Sequence, residues 1–161
     1  MTQPNPISNV APVVVHTLLP EELDSRWPEF ASMFRASSSG TPKQIEQAER
    51  AALELARSGV WCIWIASGVG VSAATQLFDN ADGFRTYSVL PFFDAQCGPE
   101  AFERGREAFE RVLLERIEGH ARAIGCTHIE VQYGLVGTEP DKHGYLATLT
   151  QVLRKDLRQL S

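Results

Sequence analysis

The chain has 161 residues, of which 43% are hydrophobic and 22% charged, which is typical of a single globular domain with a sizeable core. Fifteen Lys and Arg against twenty Asp and Glu leave a net charge of −5, which argues against broad binding to nucleic-acid phosphates. No apolar run reaches the roughly 20 residues of a membrane span, and the first residues lack the pattern of a secretory signal peptide.

Cysteine and histidine spacing predicts neither disulfides nor a metal site. An odd number of widely separated cysteines is typical of a reducing compartment, and the histidines lack the short spacings of metal ligands. We therefore expect no metal and a reducing, intracellular location. These residues are Cys62, Cys97 and Cys126, and His16, His120, His128 and His143.

The chain begins with a stretch that has no periodic pattern. Residues 1–12 contain three prolines and few apolar side chains, which predicts an extended arm that becomes ordered only when it docks on a partner. The folded domain is predicted to span 13–161, and residues 13–17 are β-branched and apolar, as in a first strand.

Two helices are predicted next. The spacing of Leu23, Trp27, Phe30 and Phe34 is helical, and Pro28 is expected to kink that helix or split it. The second helix has recognisable ends, with a capping box at Thr41 and Gln44, Pro42 in the first turn and Gly59 after the last turn. Its predicted buried stripe is Ile45, Ala48, Ala52 and Leu55.

The remaining chain alternates strands with one long helix. Apolar runs at 60–66, 71–78 and 84–92, separated by turn residues, predict an antiparallel meander. A helix over about 100–124 is followed by a strand at 126–132, which should pair parallel to 84–92. A final strand is predicted at 145–153, with a charged tail from 154. The long helix has its apolar stripe at Phe102, Phe109, Leu113, Ile117, Ala121 and Ile124.

The predicted order is β-α-α-β-β-β-α-β-(short α)-β, an α/β fold with a mixed, mostly antiparallel sheet flanked by helices. It resembles the Gcn5-related N-acetyltransferase (GNAT) superfamily. Segment 117–131 (IEGHARAIGCTHIEV), the pair Gly144-Tyr145 and the close at 152–157 (VLRKDL) are similar to acetyltransferase-like proteins of tailed bacteriophages. The resemblance spans residues 13–160.

The resemblance implies an acetyl-CoA pyrophosphate site on backbone amides at the start of the long helix. The corresponding segment, 94–103 (DAQCGPEAFE), lacks the family's glycine loop. Gly98, Glu100 and Ala101 would have to offer the amides, Pro99 has none, and two glutamates would repel phosphate. We therefore expect no cofactor, or acetyl-CoA if the protein is an enzyme.

For an acetyltransferase, the resemblance implies a general base and a general acid near the strand after the long helix. The candidates are Glu130, Tyr133 and Tyr145. The simpler interpretation is that Glu130 is a solvated strand residue and that both tyrosines are half-buried packing residues. A separate motif, Gly68-Val69-Gly70 with Ala73, matches a dinucleotide fingerprint only if a helix follows it. A hairpin turn is the simpler interpretation.

Keeping a scaffold while losing its phosphate loop favours a binding or structural role, because function resides in the site and not in the fold. The phage resemblance implies a virion-associated, homo-oligomeric component that contacts protein partners through its amino-terminal arm and carboxy-terminal tail. The alternative is an active acetyl-CoA-dependent N-acetyltransferase with an unconventional phosphate site. Neither hypothesis involves a membrane.

Overall fold

The computed structural model describes residues 14–67, 70–93, 107, 109–132, 146–147 and 152–158. The strands are β1 (Val14–Thr17), β2 (Cys62–Ser67), β3 (Val71–Asp79), β4 (Arg85–Phe93), β5 (His128–Gln132), β6 (Leu146–Ala147) and β7 (Val152–Asp156). The helices are α1 (Leu23–Ala36), which follows a 3-10 turn at Pro20–Glu22, then α2 (Pro42–Arg57) and α3 (Leu114–Ala123), which follows a π-helical turn at Phe109–Leu113. The described strands form one sheet in the order β1-β2-β3-β4-β5-β7-β6.

The predicted meander is confirmed. Strands β2, β3 and β4 pair antiparallel in sequence order, and β5 pairs parallel to β4. The parallel step requires a crossover connection, and the long helix supplies it. Because residues 71–79 form a strand and not the helix that a nucleotide-binding turn requires, the dinucleotide hypothesis is wrong.

Side chains alternate across the sheet and build two separate cores. One face packs against α1 and α2, and its buried residues include Phe30, Ala31, Ala52, Ile63, Ile65 and Ala74. The other face packs against α3 and the π turn, and its buried residues include Phe109, Leu113, Ile117, Val89, Ile129 and Val131. The sheet is thus the middle layer of a sandwich. The predicted apolar stripe of the long helix faces it from Phe109 to Ile124, and Phe102 lies outside the described residues.

The ends of α2 are as predicted, but its buried stripe is displaced. Thr41 Oγ1 accepts a hydrogen bond from the Gln44 amide at 3.2 Å, and Gln44 Oε1 accepts one from the Thr41 amide at 2.9 Å. Gly59 has a φ of 79°, the left-handed conformation that ends the helix. The predicted core position Ala48 is exposed, because only the carboxy-terminal half of α2, with Ala52 and Ala56, lies against the sheet.

Helix α1 continues through Pro28 as one element, so the predicted split is wrong. The proline removes one backbone hydrogen bond, and tertiary contacts compensate for the loss. Arg35 donates to both carboxylate oxygens of Glu49 on α2, at 2.6 and 2.7 Å. This bidentate pair joins the two helices across the loop between them.

The predicted final strand is also wrong. Instead of one strand over 145–153, the chain forms β6 and then β7, and β7 contains the residues predicted to be a charged tail. Strand β7 lies between β5 and β6, antiparallel to both. The chain through Arg158 therefore belongs to the folded domain, with Leu157 buried in the α3-side core.

The described residues contain one buried polar side-chain atom without a hydrogen-bond partner, the Ser72 hydroxyl on β3, which is 0% exposed. An unsatisfied buried hydroxyl costs about 1–3 kcal/mol, so Ser72→Ala is expected to raise the free energy of unfolding by about 1 kcal/mol. Denaturant unfolding checks this, with Ser88→Ala on the next strand as a near-neutral control. A loss of stability in Ser72→Ala would mean that the hydroxyl is hydrogen-bonded in solution.

Candidate functional site

The two central parallel strands separate part of the way along the sheet. Strand β4 pairs with β5 only from Thr86↔His128 to Val89↔Val131. Beyond Val89, β4 continues to Phe93 and remains paired with β3 on its other side. Among the described residues, this leaves an opening beside the last residues of β4, and a ligand could lie there as an additional strand.

The backbone groups that face this opening follow from the register. Arg85 exchanges bonds with Thr127 on the β5 side, its amide donating to Thr127 Oγ1 and its carbonyl accepting from the Thr127 amide. Because the β3–β4 register is continuous, alternate residues of β4 face the same side. Pro91 and Phe93 therefore direct their outward backbone groups to the opening.

Neither of these residues offers a free amide there. Pro91 has no N–H, and the Phe93 amide donates to the Ser37 hydroxyl at 3.1 Å. The same hydroxyl donates to the Phe93 carbonyl at 3.2 Å, so Ser37 occupies the place of a neighbouring strand. Ser37 is the residue that ends α1, which fixes it against the end of β4. A ligand strand would find no unoccupied donor along this described part of β4.

Of the predicted catalytic residues, the structure describes Glu130. It lies half-buried on β5, with Ser88 and Arg154 as its neighbours in the register. Tyr133 and Tyr145 lie outside the described residues, as do the predicted cofactor-binding residues Gly98, Glu100 and Ala101. Their roles remain predictions.

Sequence reasoning missed Ser37 and Pro91. The proline had a visible signal, because a proline within a strand pattern marks an edge or a bulge. Ser37 had none, since its partner Phe93 is 56 residues away and serine after a helix is an ordinary loop residue.

A buried polar network lies on the α3 side of the sheet. Trp64 Nε1 donates to Thr75 Oγ1 at 3.0 Å, and Thr75 Oγ1 donates to the Tyr87 hydroxyl at 2.7 Å. Burial raises the pKa of Tyr87 to about 12, which outweighs the opposing effect of the Thr75 hydrogen bond. Tyr87 is therefore a neutral structural group at neutral pH.

The two described cysteines are poor nucleophiles. Burial raises the pKa of the Cys62 thiol, and it also raises that of Cys126. A raised pKa lowers the thiolate fraction on which nucleophilic attack depends. Cys97 lies outside the described residues.

Within the described ranges, no three metal-ligating side chains cluster. The described helices are also too short or too polar to cross a membrane.

No protein-family profile and no curated protein matches the chain. Similarity to solved structures is clear. A protein identified as a GNAT-family acetyltransferase from Desulfovibrio desulfuricans aligns with a TM-score of 0.58 at 14% identity, over 91% of this chain and 99% of that one. An acetyltransferase from Clostridium acetobutylicum, solved with acetyl-CoA, aligns with a TM-score of 0.59 at 11% identity, over 85% and 92%. The AtaTR complex bound with acetyl-CoA aligns with a TM-score of 0.58 at 8% identity, over 91% and 94%.

Identities this low establish the fold alone. The predicted GNAT fold, with its mixed sheet and flanking helices in a single domain, is confirmed. Of these structural neighbours, one is described as a GNAT-family acetyltransferase and two were solved with acetyl-CoA, and they carry no information on the predicted phage relationship.

Proposed function

We propose that this chain is a binding protein built on the GNAT fold, in which the opening between β4 and β5 does not serve acetyl-CoA. The observation that supports this is that the described end of β4 has no free backbone donor for a ligand, which we call the closed edge of β4. Pro91 removes one amide, and Ser37 takes both backbone groups of Phe93. Function would then depend on protein contacts, because the fold alone does not determine an activity.

The sequence beside this edge supports the same proposal. Segment 94–103 has the single glycine Gly98 where the family has a glycine loop whose amides approach a pyrophosphate, and it carries Glu100 and Glu103. Two carboxylates beside a helix start repel phosphate where an amide cradle would attract it. The phage resemblance extends the proposal to a virion-associated component, with the arm over 1–12 as a contact element.

An active N-acetyltransferase is the second candidate, because structural neighbours of the same fold were solved with acetyl-CoA. In that case Glu130 is the general base, with Tyr133 or Tyr145 as the acid. The closed edge of β4 then requires a phosphate site elsewhere along the opening.

Calorimetric titration with acetyl-CoA distinguishes the two candidates. We expect no saturable heat at millimolar ligand, since the described edge of β4 offers no free donor. A dissociation constant in the low micromolar range, about −8 kcal/mol, would contradict the proposal. A GNAT enzyme of known affinity serves as the positive control.

A further inference from the structure

A groove lies on the α3 side of the sheet, away from the β4–β5 opening. Its cavity volume is about 720 Å³, within the range of ligand sites. One wall is the edge of the sheet, with Val15 and Thr17 on β1 and Trp64 on β2. The other wall is helical, running from Arg111 in the π turn to His120 in α3.

The sheet wall of this groove is an unpaired strand edge. Strand β1 is the first strand of the described sheet and pairs only with β2. The Leu18 amide donates to the Ile63 carbonyl, so residues 14, 16 and 18 direct their backbone groups to β2. Val15 and Thr17 therefore present their amides and carbonyls outward, beside the groove that their side chains line.

The shortness of β1, at four residues, is the one protection against pairing that its described residues show. Exposed edge strands usually carry lysine, proline or a bulge, and Val14–Thr17 has none of these. Val14 is 49% exposed. An extended peptide could add to the edge through four backbone hydrogen bonds, with alternate side chains directed into the groove.

The helical wall determines which peptide fits. Arg116 lines the groove and forms no ion pair with a described residue, whereas Arg111 contacts Glu107 at 3.1 Å. His120 stands edge-on against Trp64, with ring centroids 5.5 Å apart. Glu115 also lines the groove, so a strand with isolated acidic residues opposite the arginines suits it better than a continuous acidic run.

We propose that the β1 edge and the α3 groove bind an extended acidic peptide of a partner protein as an added strand. The chain's own arm is poorly suited, since residues 1–13 contain no Asp or Glu and three prolines that cannot donate. The proposal names the partner class of the proposed binding function. Its test uses no acetyl-CoA, so its failure leaves the β4–β5 conclusion unaffected.

The probe is a seven-residue peptide of alternating valine and glutamate, blocked at both ends, with a valine–lysine peptide as its counterpart. We expect the glutamate peptide to bind with a dissociation constant of about 100 µM and to shift the Val15 and Thr17 amide resonances. Arg116→Glu should weaken it at least about tenfold, and the lysine peptide should then bind better than it does to the wild type. Arg50→Glu, on the opposite side of the sheet, is the matched control.

Two further variants test the backbone pairing with β1 and the shape of the groove, and neither changes the charge of Arg116. Val15→Pro removes one outward amide without touching the β2 ladder and should abolish binding of both peptides. Gly119 lines the groove, and a Cβ there meets nothing within 4 Å, so Gly119→Leu should fill the groove and weaken both peptides without loss of folding.

Circular dichroism confirms that each variant is folded. Absence of wild-type binding at millimolar peptide would overturn the proposal. So would equal affinity for the two peptides, unchanged Val15 and Thr17 resonances, or a Val15→Pro effect on self-association alone, which would assign the edge to a second copy of the chain.

Discussion

Lys155→Met is expected to lower the free energy of unfolding by about 3 kcal/mol, because it leaves the Glu118 carboxylate buried without its main partner. Lys155 Nζ lies 3.1 and 3.2 Å from the two Glu118 oxygens, and the two side chains are 12% and 11% exposed. Arg122, at 3.7 Å from the carboxylate, retains part of the attraction, which places the loss at the low end of the range for buried pairs.

Urea unfolding of Lys155→Met checks this value against Arg50→Met, which breaks an exposed pair and should cost less than about 0.5 kcal/mol. The double variant Glu118→Leu with Lys155→Met should recover much of the loss, since two apolar side chains need no partner. A loss below about 1 kcal/mol in the single variant would show that water reaches Glu118.

Thr75→Val is expected to lower the free energy of unfolding by about 2–3 kcal/mol. Valine matches threonine in shape, so the loss reports the hydrogen bonds of the Thr75 hydroxyl, which accepts from Trp64 Nε1 and donates to the Tyr87 hydroxyl. Tyr87→Phe should cost only about 1 kcal/mol, because the Thr75 hydroxyl can turn to the Cys62 carbonyl, 3.4 Å away. Equal losses of unfolding free energy in Thr75→Val and Tyr87→Phe would contradict this expected difference.

The same network predicts a pH dependence at the alkaline end. Burial raises the pKa of Tyr87 to about 12, against 10 for an exposed tyrosine. Between these values the unfolded chain releases a proton that the native protein keeps, so stability falls as the pH rises from 10 to 12, by about 2–3 kcal/mol for this group. Thermal unfolding of Tyr87→Phe over this range should show a shallower decline than the wild type.

Local patterns predicted much of this fold. The capping box at Thr41, the meander, and the stripe from Phe109 to Ala121 all depend on neighbours within a few residues, where periodicity is informative. The order of these elements was enough to predict the parallel step from β4 to β5, because a long helix between strands implies a crossover.

The sequence-based predictions were wrong where the structure depends on a buried charge pair or on contacts between residues far apart in the chain. Residues 154–156 are charged in sequence and were assigned to a tail that contacts protein partners, yet Lys155 points at α3 because Glu118 compensates its charge there. That compensation links positions 37 residues apart. The contact between Ser37 and β4 is also long-range. A hydroxyl that bonds to a distant backbone group produces no periodic pattern in the sequence.

At the end of the sheet where β4 and β5 begin, Thr127 bonds to the neighbours of β5 on both sides. At that end, the Thr127 amide donates to the Arg85 carbonyl and the Leu157 amide donates to the Thr127 carbonyl, so Thr127 links the ends of the β4–β5 and β5–β7 ladders. The Thr127 hydroxyl adds two bonds to Arg85. At the other end, β4 and β5 have already separated.

Strands β4 and β5 stay paired from Thr86↔His128 to Val89↔Val131, so this ladder holds them in register and they diverge only beyond Val89. The opening between them is therefore wedge-shaped, narrow at Val89 and widest beside Phe93. Because Ser37 bonds both backbone groups of Phe93, the position of the last turn of α1 determines the width of that wedge.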